Sequence, residues 1–143
     1  MKAIGGYFEL ELNPGPEYHL GAVRLNSGRN AFEYILRAKR VEKVFLPYYT
    51  CEVMFQPVAR AGVACELYGI GENFEPMFDF GSMRPSDYLV YTNYFGLHEH
   101  VAKEISKVCQ NLIVDNSQAF FTRPLKGVDT FYSPRKFFGL PDG

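Results

Sequence analysis

The most informative acidic residue of this sequence is Asp115, which directly follows the apolar run 112–114. A carboxylate at the end of such a run is expected to be partly buried, where it is costly unless a cation or a hydrogen-bond donor meets it. One interpretation is that Asp115 partners the protonated nitrogen of a pyridine-like ring, which keeps that ring able to accept electrons. The other is that it caps the segment that follows, because Asp, Asn and Ser are preferred N-cap residues.

Lys136 is the second residue whose type and position point to a specific reaction. It follows a predicted strand and Pro134, and two aromatic residues, Phe137 and Phe138, come directly after it. Apolar neighbours would favour the neutral amine, which is the form that attacks an aldehyde to give a Schiff base. The alternative is a solvated surface lysine, as most lysines are.

A candidate anion site precedes both residues in the chain. Ser27, Gly28 and Arg29 open a stretch of helical periodicity, and the free N–H groups and dipole of a helix start attract anions. Gly28 would let a phosphate approach the backbone closely, and Arg29 could pair with it. The alternative is that Ser27 is a plain N-cap.

The elements that must position these residues alternate along the chain between strand-like and helix-like patterns. This alternation predicts an α/β fold with three layers, αβα, and a mostly parallel sheet with right-handed crossovers. The predicted strands cover residues 43–46, 63–70, 87–92, 111–115 and 128–132, and the predicted helices cover 27–40, a stretch beginning near Thr50, and 98–109.

Three local predictions are specific enough to be checked. In the third helix, Val101, Ile105 and Val108 are expected to face the core. Pro57 lies inside the second helix, so that helix is expected either to kink or to begin later. Residues 71–85 contain Gly, Asn and Pro and are expected to form a loop.

Polar residues collect at one edge of the predicted sheet. Asn93, Asp115 and the segment 133–136 each follow the carboxyl end of a predicted strand. In open α/β sheets, ligands bind beyond the carboxyl ends of the strands. The sequence therefore predicts a binding site at this edge.

Composition excludes several other kinds of function. The formal net charge is −1, which gives no electrostatic bias towards nucleic acid or an anionic membrane. No apolar run approaches the roughly 18 residues of a membrane span. The three cysteines match no zinc-binding spacing, so no metal is expected, and reduced thiols in a cytoplasmic protein are the simplest interpretation.

The order of these motifs resembles that of the DegT-like family of PLP-dependent sugar aminotransferases, which have the fold-type I aminotransferase architecture. The resemblance covers residues 24–143. Its most specific part is 112–119, Leu-Ile-Val-Asp-Asn-Ser-Gln-Ala, which is similar to the family's Val-Ile-Glu-Asp-Ala-Ala-Gln-Ala. Further similarities are Ser27-Gly28 to the Ser-Gly-Thr phosphate turn, Leu46-Pro47-Tyr48-Tyr49-Thr50 to Val-Pro-x-x-Thr, Tyr94-Phe95-Gly96 to Leu-Tyr-Gly, and Ser133-Pro134-Arg135-Lys136 to His-Pro-Thr-Lys.

The resemblance assigns roles to individual residues. It implies that Lys136 is the Schiff-base lysine, that Asp115 binds the pyridine nitrogen of PLP and that Gln118 lies near the ring hydroxyl. The cofactor phosphate would lie at the turn formed by Ser27, Gly28 and Arg29.

The sequence departs from the family pattern at three of these positions. The family's usual serine five residues before the lysine is Phe131, and Ser133 is the candidate to replace its phosphate contact. The aromatic residue that usually follows Thr50 and stacks on the ring is Cys51; Tyr48, Tyr49 and Phe55 are the alternatives, among which the sequence does not choose. The family's threonine after Ser-Gly is Arg29.

The resemblance implies an enzyme that moves an amino group from an amino acid to a keto sugar or a similar carbonyl acceptor, and that works as a homodimer. It also implies that residues 24–143 are an incomplete large domain of the PLP-dependent transferase fold. The turn cluster 13–16 between short β-type runs predicts that residues 1–23 form an irregular N-terminal arm. The rest of the large domain and the small domain would lie outside this sequence, so the chain alone is expected not to complete turnover.

Two other functions remain open at this point. One is a catalytically inactive fragment that acts as a binding or interaction domain, which the changes to Phe131 and Cys51 favour. The other is an unrelated α/β domain with an anion site at Ser27, which leaves Asp115, Gln118 and Lys136 unexplained.

Overall fold

A six-stranded sheet forms the centre of the computed structural model, which describes residues 15–139. The strands are ordered β3-β2-β1-β4-β5-β6. All neighbouring strands are parallel except β3, which is antiparallel to β2. Their bounds are β1 Lys43–Pro47, β2 Ala64–Ile70, β3 Pro76–Met77, β4 Asp87–Thr92, β5 Leu112–Asn116 and β6 Asp129–Tyr132.

Three α-helices lie within residues 15–139. They are α1 Gly28–Ala38, α2 Phe55–Ala61 and α3 Glu99–Val108, and short 3-10 turns cover Glu52–Met54, Phe80–Ser82, Tyr94–Gly96 and Pro134–Lys136. Helix α1 precedes β1, α2 connects β1 to β2, and α3 connects β4 to β5. The prediction that α1 begins after Ser27 is confirmed, since Ser27 Oγ accepts a hydrogen bond from Asn30 N at 3.3 Å. The second helix begins late, at Phe55, which places Pro57 in its first turn, where its missing N–H costs nothing.

The direction of each crossover connection determines on which face of the sheet its helix lies. The chain runs from β1 outwards to β2 through α2, whereas it runs from β4 to β5 in the opposite direction through α3. Right-handed crossovers in opposite directions place their helices on opposite faces of the sheet. The predicted three-layer αβα fold, mostly parallel, is therefore confirmed.

Each face of the sheet has its own apolar core, because successive strand residues point to opposite faces. On the α1 and α2 face the buried side chains include Phe32, Leu36, Val44, Val58, Val90 and Ile113. On the α3 face they include Phe45, Leu89, Tyr91, Ala102, Ile105 and Leu112. The strand β5 is buried along its whole length, as its apolar sequence predicted.

Two local predictions were wrong. Val108 is 64% exposed, because α3 ends there and the next residue, Cys109, takes the buried position beside Met83. The expected loop 71–85 contains β3, whose two residues pair with Gly69 and Ile70 at the edge of the sheet. A two-residue strand is too short to give a period-2 pattern in the sequence.

The described part of the N-terminal arm packs against the segment that follows β5. The Tyr18 hydroxyl donates to Phe121 O at 2.7 Å, and a ring nitrogen of His19 lies 2.6 Å from Phe120 O. The Arg123 guanidinium lies 3.7 Å from the centre of the Tyr18 ring. Residues 1–14 of the predicted arm lie outside the described residues, so the predicted boundary at residue 23 stays a prediction.

Neither a membrane span nor a metal site is present within residues 15–139. No helix in that range is long and apolar enough to cross a bilayer. No group of three or more His, Cys, Asp or Glu side chains there is arranged to hold a metal ion. The three cysteines, which all lie within it, are unpaired.

The core between α1 and β6 depends on Phe32, which is fully buried and stacks on Phe131 with the ring centres 5.4 Å apart. We expect Phe32→Ala to lower the free energy of unfolding by about 3–5 kcal/mol, because it removes the ring and leaves a cavity. Urea denaturation would measure the loss. The control is Tyr34→Ala on the same helix, where the side chain is 51% exposed and the change should be small. Equal losses in both variants would contradict this packing.

Candidate functional site

A pocket of about 420 Å³ lies at the carboxyl ends of the parallel strands, beside the start of α1. It forms where β1 and β4 lie side by side, although their connections leave in opposite directions. This is the position at which open α/β sheets leave a crevice. The lining residues are Gly28, Arg29, Tyr49, Thr50, Cys51, Val53, Met54, Thr92, Tyr94, Phe95, Asp115, Ser117, Gln118, Phe131, Ser133, Arg135 and Lys136.

The structure thus brings together the predicted site residues, which lie far apart in the sequence. Gly28, Arg29, Asp115, Gln118, Ser133 and Lys136 all line the pocket. Ser27 is absent from the lining residues, and it lies buried beneath the start of α1 as the helix cap.

Asp115 lines the pocket from strand β5, which lies between β4 and β6. Its side chain is buried, and one carboxylate oxygen accepts a hydrogen bond from Ser117 N at 2.8 Å. Burial raises the pKa of the Asp115 carboxyl, and the Ser117 hydrogen bonds and the charge of Lys136 oppose that shift only in part. Asp115 therefore caps the next segment, as one interpretation held, and also presents a buried carboxyl group to the pocket.

Lys136 approaches the same segment from the end of β6. It closes the 3-10 turn Pro134–Lys136, and its Nζ donates to Ser117 Oγ at 3.1 Å. Because Ser117 N also binds the Asp115 carboxylate, one residue connects the amine to the acid. The Lys136 amine and the Asp115 carboxyl group therefore both lie beside Ser117.

Of the two interpretations of the surroundings of Lys136, the apolar enclosure is wrong, and the solvent-exposed lysine agrees with the structure. The side chain is exposed, because Phe137 and Phe138 turn away from it and pack on Phe120 and Phe121. The four phenylalanines form an aromatic cluster beside the pocket rather than around the amine.

The start of α1 has a structural reason for its glycine. A Cβ atom at Gly28 would lie 3.2 Å from Tyr132 O and 3.4 Å from Ser133 Cβ, so only glycine lets α1 pack this closely on the end of β6. Arg29 donates from Nη1 to Gln56 Oε1 at 2.7 Å at the mouth of the pocket. The first turn of α1 has no acidic residue, so its free N–H groups and dipole keep their attraction for an anion.

Gln118 and Ser133 hold the loops around the pocket in place. Gln118 Oε1 accepts a hydrogen bond from Phe95 N at 3.3 Å, and Phe95 has a left-handed backbone with φ of 56°. Ser133 is buried, and its carbonyl accepts from Lys136 N at 3.1 Å, which fixes the turn that carries the lysine. Phe131 is buried against Phe32, so this position serves the core and also forms part of the pocket floor.

Sequence analysis missed several residues of the pocket. Thr92 and Tyr94 lie at the end of β4, and Ser117 follows Asp115. Tyr94 belongs to a quoted motif, so its position could have been found, whereas nothing in the sequence shows that Ser117 joins Asp115 to Lys136.

These residues fit a flat, phosphorylated pyridine. Asp115 could accept a hydrogen bond from a protonated ring nitrogen, which would compensate the burial of its carboxylate. Thr92 Oγ1 also lines the pocket; it is buried, and no residue in 15–139 lies in hydrogen-bonding geometry to it. The α1 N-terminus and Arg29 supply the anion site that a phosphate needs.

The comparison with known proteins gives structural matches only. No protein-family model matches the chain, and no curated protein matches it in sequence. Its fold is similar to that of 3-amino-5-hydroxybenzoic acid synthase, with 19% identity, a TM-score of 0.60 and coverage of 81% of this chain and 35% of that one.

Two further solved structures are similar at comparable levels. NtdA from Bacillus subtilis, with bound PMP, has 16% identity and a TM-score of 0.57, covering 73% of this chain and 27% of its own. The sugar aminotransferase CalS13 from Micromonospora echinospora has 14% identity and a TM-score of 0.53, covering 68% of this chain and 31% of its own.

These matches show that the chain has the fold of part of an aminotransferase domain. The chain spans about a third of the length of the structures that it matches. At these identities the likeness establishes the fold and does not by itself assign an activity.

The opposite surroundings of Asp115 and Asp87 predict opposite effects of pH on stability. The raised pKa of Asp115 means that its carboxyl lowers the free energy of unfolding as the pH rises through the folded-state pKa. Hydrogen bonds from Arg84 lower the pKa of Asp87, so its stabilising contribution is present above the ordinary pKa of about 3.9 and is lost as the pH falls through the folded value.

At neutral pH and without cofactor, we therefore expect Asp115→Asn to raise the free energy of unfolding by roughly 1–3 kcal/mol, because it removes a buried negative charge that Ser117 and Lys136 compensate only in part. Asp87→Asn, the matched control, should lower it. Denaturation at a series of pH values should show both differences shrinking in acid. If Asp115→Asn destabilises the chain at neutral pH as Asp87→Asn does, the Asp115 carboxylate has a compensating partner and this electrostatic account is wrong.

Proposed function

We propose that this chain is the N-terminal part of a PLP-dependent aminotransferase that transfers an amino group from an amino acid to a keto sugar or a similar carbonyl acceptor. The observation that carries this proposal is the convergence of Asp115 and Lys136 on Ser117 within one pocket. A buried acid for a ring nitrogen and a free amine for an aldehyde are the two groups that PLP chemistry requires from its protein. The fold shared with the sugar aminotransferase CalS13, and with NtdA, whose structure contains PMP, supports the same proposal.

Each predicted site residue that lines the pocket has a role in this proposal. Asp115 would hold the ring nitrogen protonated, and the N–H groups at Gly28 with the Arg29 side chain would bind the phosphate. Gln118 uses Oε1 to hold Phe95, which leaves its amide N–H groups to donate to the ring hydroxyl. Ser133 fixes the turn that presents Lys136.

When bound, PLP supplies an electron-accepting ring that stabilises negative charge on the donor's α-carbon. Lys136 would first hold the cofactor covalently through Nζ. Once the donor has displaced it, Nζ would carry a proton from the donor's α-carbon to the carbon that had been bound to the lysine. The exposed position of Lys136 leaves room for a donor to reach it.

Substrate recognition and assembly belong to the proposal as well. The matched structures are about three times as long as this chain, so we propose that residues outside it bind the donor and the acceptor. We also propose a cytoplasmic homodimer, with residues 1–23 as an arm and 24–143 as part of the large domain.

The visible absorption spectrum of the purified chain after addition of PLP and desalting tests the proposal. We expect a band in the parent chain that Lys136→Ala abolishes, because Nζ is the attachment point. The matched control is Lys126→Ala, an exposed lysine outside the pocket, which should leave the band unchanged. A band that survives Lys136→Ala would refute the role of Lys136.

A second candidate function is an interaction domain without catalysis. Within residues 15–139, β6 pairs only with β5, so it forms an edge of the sheet, and exposed edges pair readily with other strands. Phe121, Phe137 and Phe138 add partly exposed aromatic surface close to it. If no band forms in the parent chain, and sedimentation shows self-association that a lysine at the exposed edge of β6 (Thr130→Lys) reduces, this second function is favoured.

A further inference from the structure

A pocket that binds a flat ring needs an aromatic or apolar face for that ring. The residue after Thr50 cannot supply one, because it is Cys51. The aromatic side chains that do line the pocket are Tyr49, Tyr94, Phe95 and Phe131. Two of the candidates from sequence, Tyr48 and Phe55, are not among the lining residues.

Exposure divides the lining aromatics into two pairs. Tyr94 is 2% exposed and Phe131 is 3% exposed, so other protein atoms already cover their faces. Tyr49 is 60% exposed and Phe95 is 57% exposed. Among the lining aromatics, these two are the ones with largely exposed side chains.

Tyr49 is the better supported of the two. Its ring stacks on Tyr94, with the ring centres 5.5 Å apart and the planes within 15°. The Tyr94 hydroxyl also donates to Tyr49 O at 2.8 Å, so both the backbone and the ring of Tyr49 are held. Phe95, by contrast, meets Phe74 only edge-on at 6.1 Å and has a left-handed backbone.

The partner of Tyr49 is itself fixed close to the acid of the site. Tyr94 packs on Phe74 and Tyr91, with ring centres 5.0 and 6.1 Å apart. Burial raises the pKa of Tyr94 to about 12, and the nearby charge of Asp115 adds to the shift. The stacked pair therefore extends from Tyr94, near Asp115, to Tyr49, which is largely exposed and lines the pocket.

We propose that Tyr49 supplies the aromatic face on which the pyridine ring of PLP packs, an inference that depends on the proposed function. Tyr94 acts as a positioning residue, because it holds Tyr49 by the stack and by the hydrogen bond. This ring contact would come from the residue before Thr50 and not from Cys51, which follows Thr50.

Binding of PLP, followed by absorption and by the circular dichroism of the bound chromophore, tests this inference without any assay of turnover. We expect Tyr49→Leu to weaken PLP binding roughly tenfold, which corresponds to the loss of one aromatic stack. The induced dichroism should also fall, because the ring loses a fixed face. Tyr49→Phe keeps the ring and should restore both signals.

Tyr48→Leu is the matched control, since Tyr48 is the adjacent tyrosine, is 76% exposed and does not line the pocket. It should bind PLP like the parent chain. Thermal unfolding of each variant without PLP shows whether it is folded, and the exposure of Tyr49 predicts little change.

Three results would overturn the inference. Parent-like binding by Tyr49→Leu would exclude a stack on Tyr49, and a loss in Phe95→Leu instead would assign the role to Phe95. Equal weakening by Tyr49→Phe and Tyr49→Leu would assign the effect to the hydroxyl rather than to the ring. If the parent chain binds no PLP, both the proposed function and this inference are wrong. If the parent chain binds PLP and Tyr49→Leu binds it equally well, only this inference is wrong.

Discussion

The carboxyl group of Asp115 is buried at the end of a strand that has neighbours on both sides, so the chain fixes its position firmly. Thr92 on β4 and Phe131 on β6 are its partners in register. Its nearest cation, Lys136, directs its hydrogen bond to Ser117 rather than to the acid. A buried acid without a donated cationic hydrogen bond is costly to ionise, and a ligand that carries an N–H⁺ group would offset that cost. The buried carboxyl of Asp115 is therefore consistent with the cationic ring of the proposed cofactor.

The topology of the sheet explains why residues so far apart in sequence surround this acid. The chain moves outwards from β1 in one direction and from β4 in the other, so the two strands leave a crevice where they meet. The close packing of Gly28 on Tyr132 then ties the start of α1 to the end of β6. An anion site, a buried acid and an amine consequently face one volume, although each comes from a different element.

The alternation of strands and helices and the edge at which the polar residues collect could be predicted from the sequence. The strands β4 and β5 are short apolar runs, and the spacing of Val101 and Ile105 is helical, so local pattern is enough for both. The two residues of β3 and the burial of Cys109 in place of Val108 could not be predicted, since both depend on tertiary contacts at element ends.

The same distinction applies to the pocket. Asp115, Gln118 and Lys136 could be found because they stand in motifs of recognisable order. The hydrogen bond from Phe95 to Gln118 and the stack of Tyr49 on Tyr94 join residues that are far apart in the chain, so no local pattern shows them. The sequence could not decide between an enclosed and an exposed Lys136, because the outcome depends on Phe137 and Phe138 packing on Phe120.

The most direct test of the central claim is to identify which lysine PLP modifies. The chain would be incubated with a small excess of PLP, reduced with borohydride, digested, and its modified peptides quantified by mass spectrometry. Our account predicts that the label lies mainly on Lys136, since its amine faces the pocket that also holds Asp115. A label spread evenly over exposed lysines such as Lys103, Lys107 and Lys126 would contradict it, because PLP would then have no specific site in this chain.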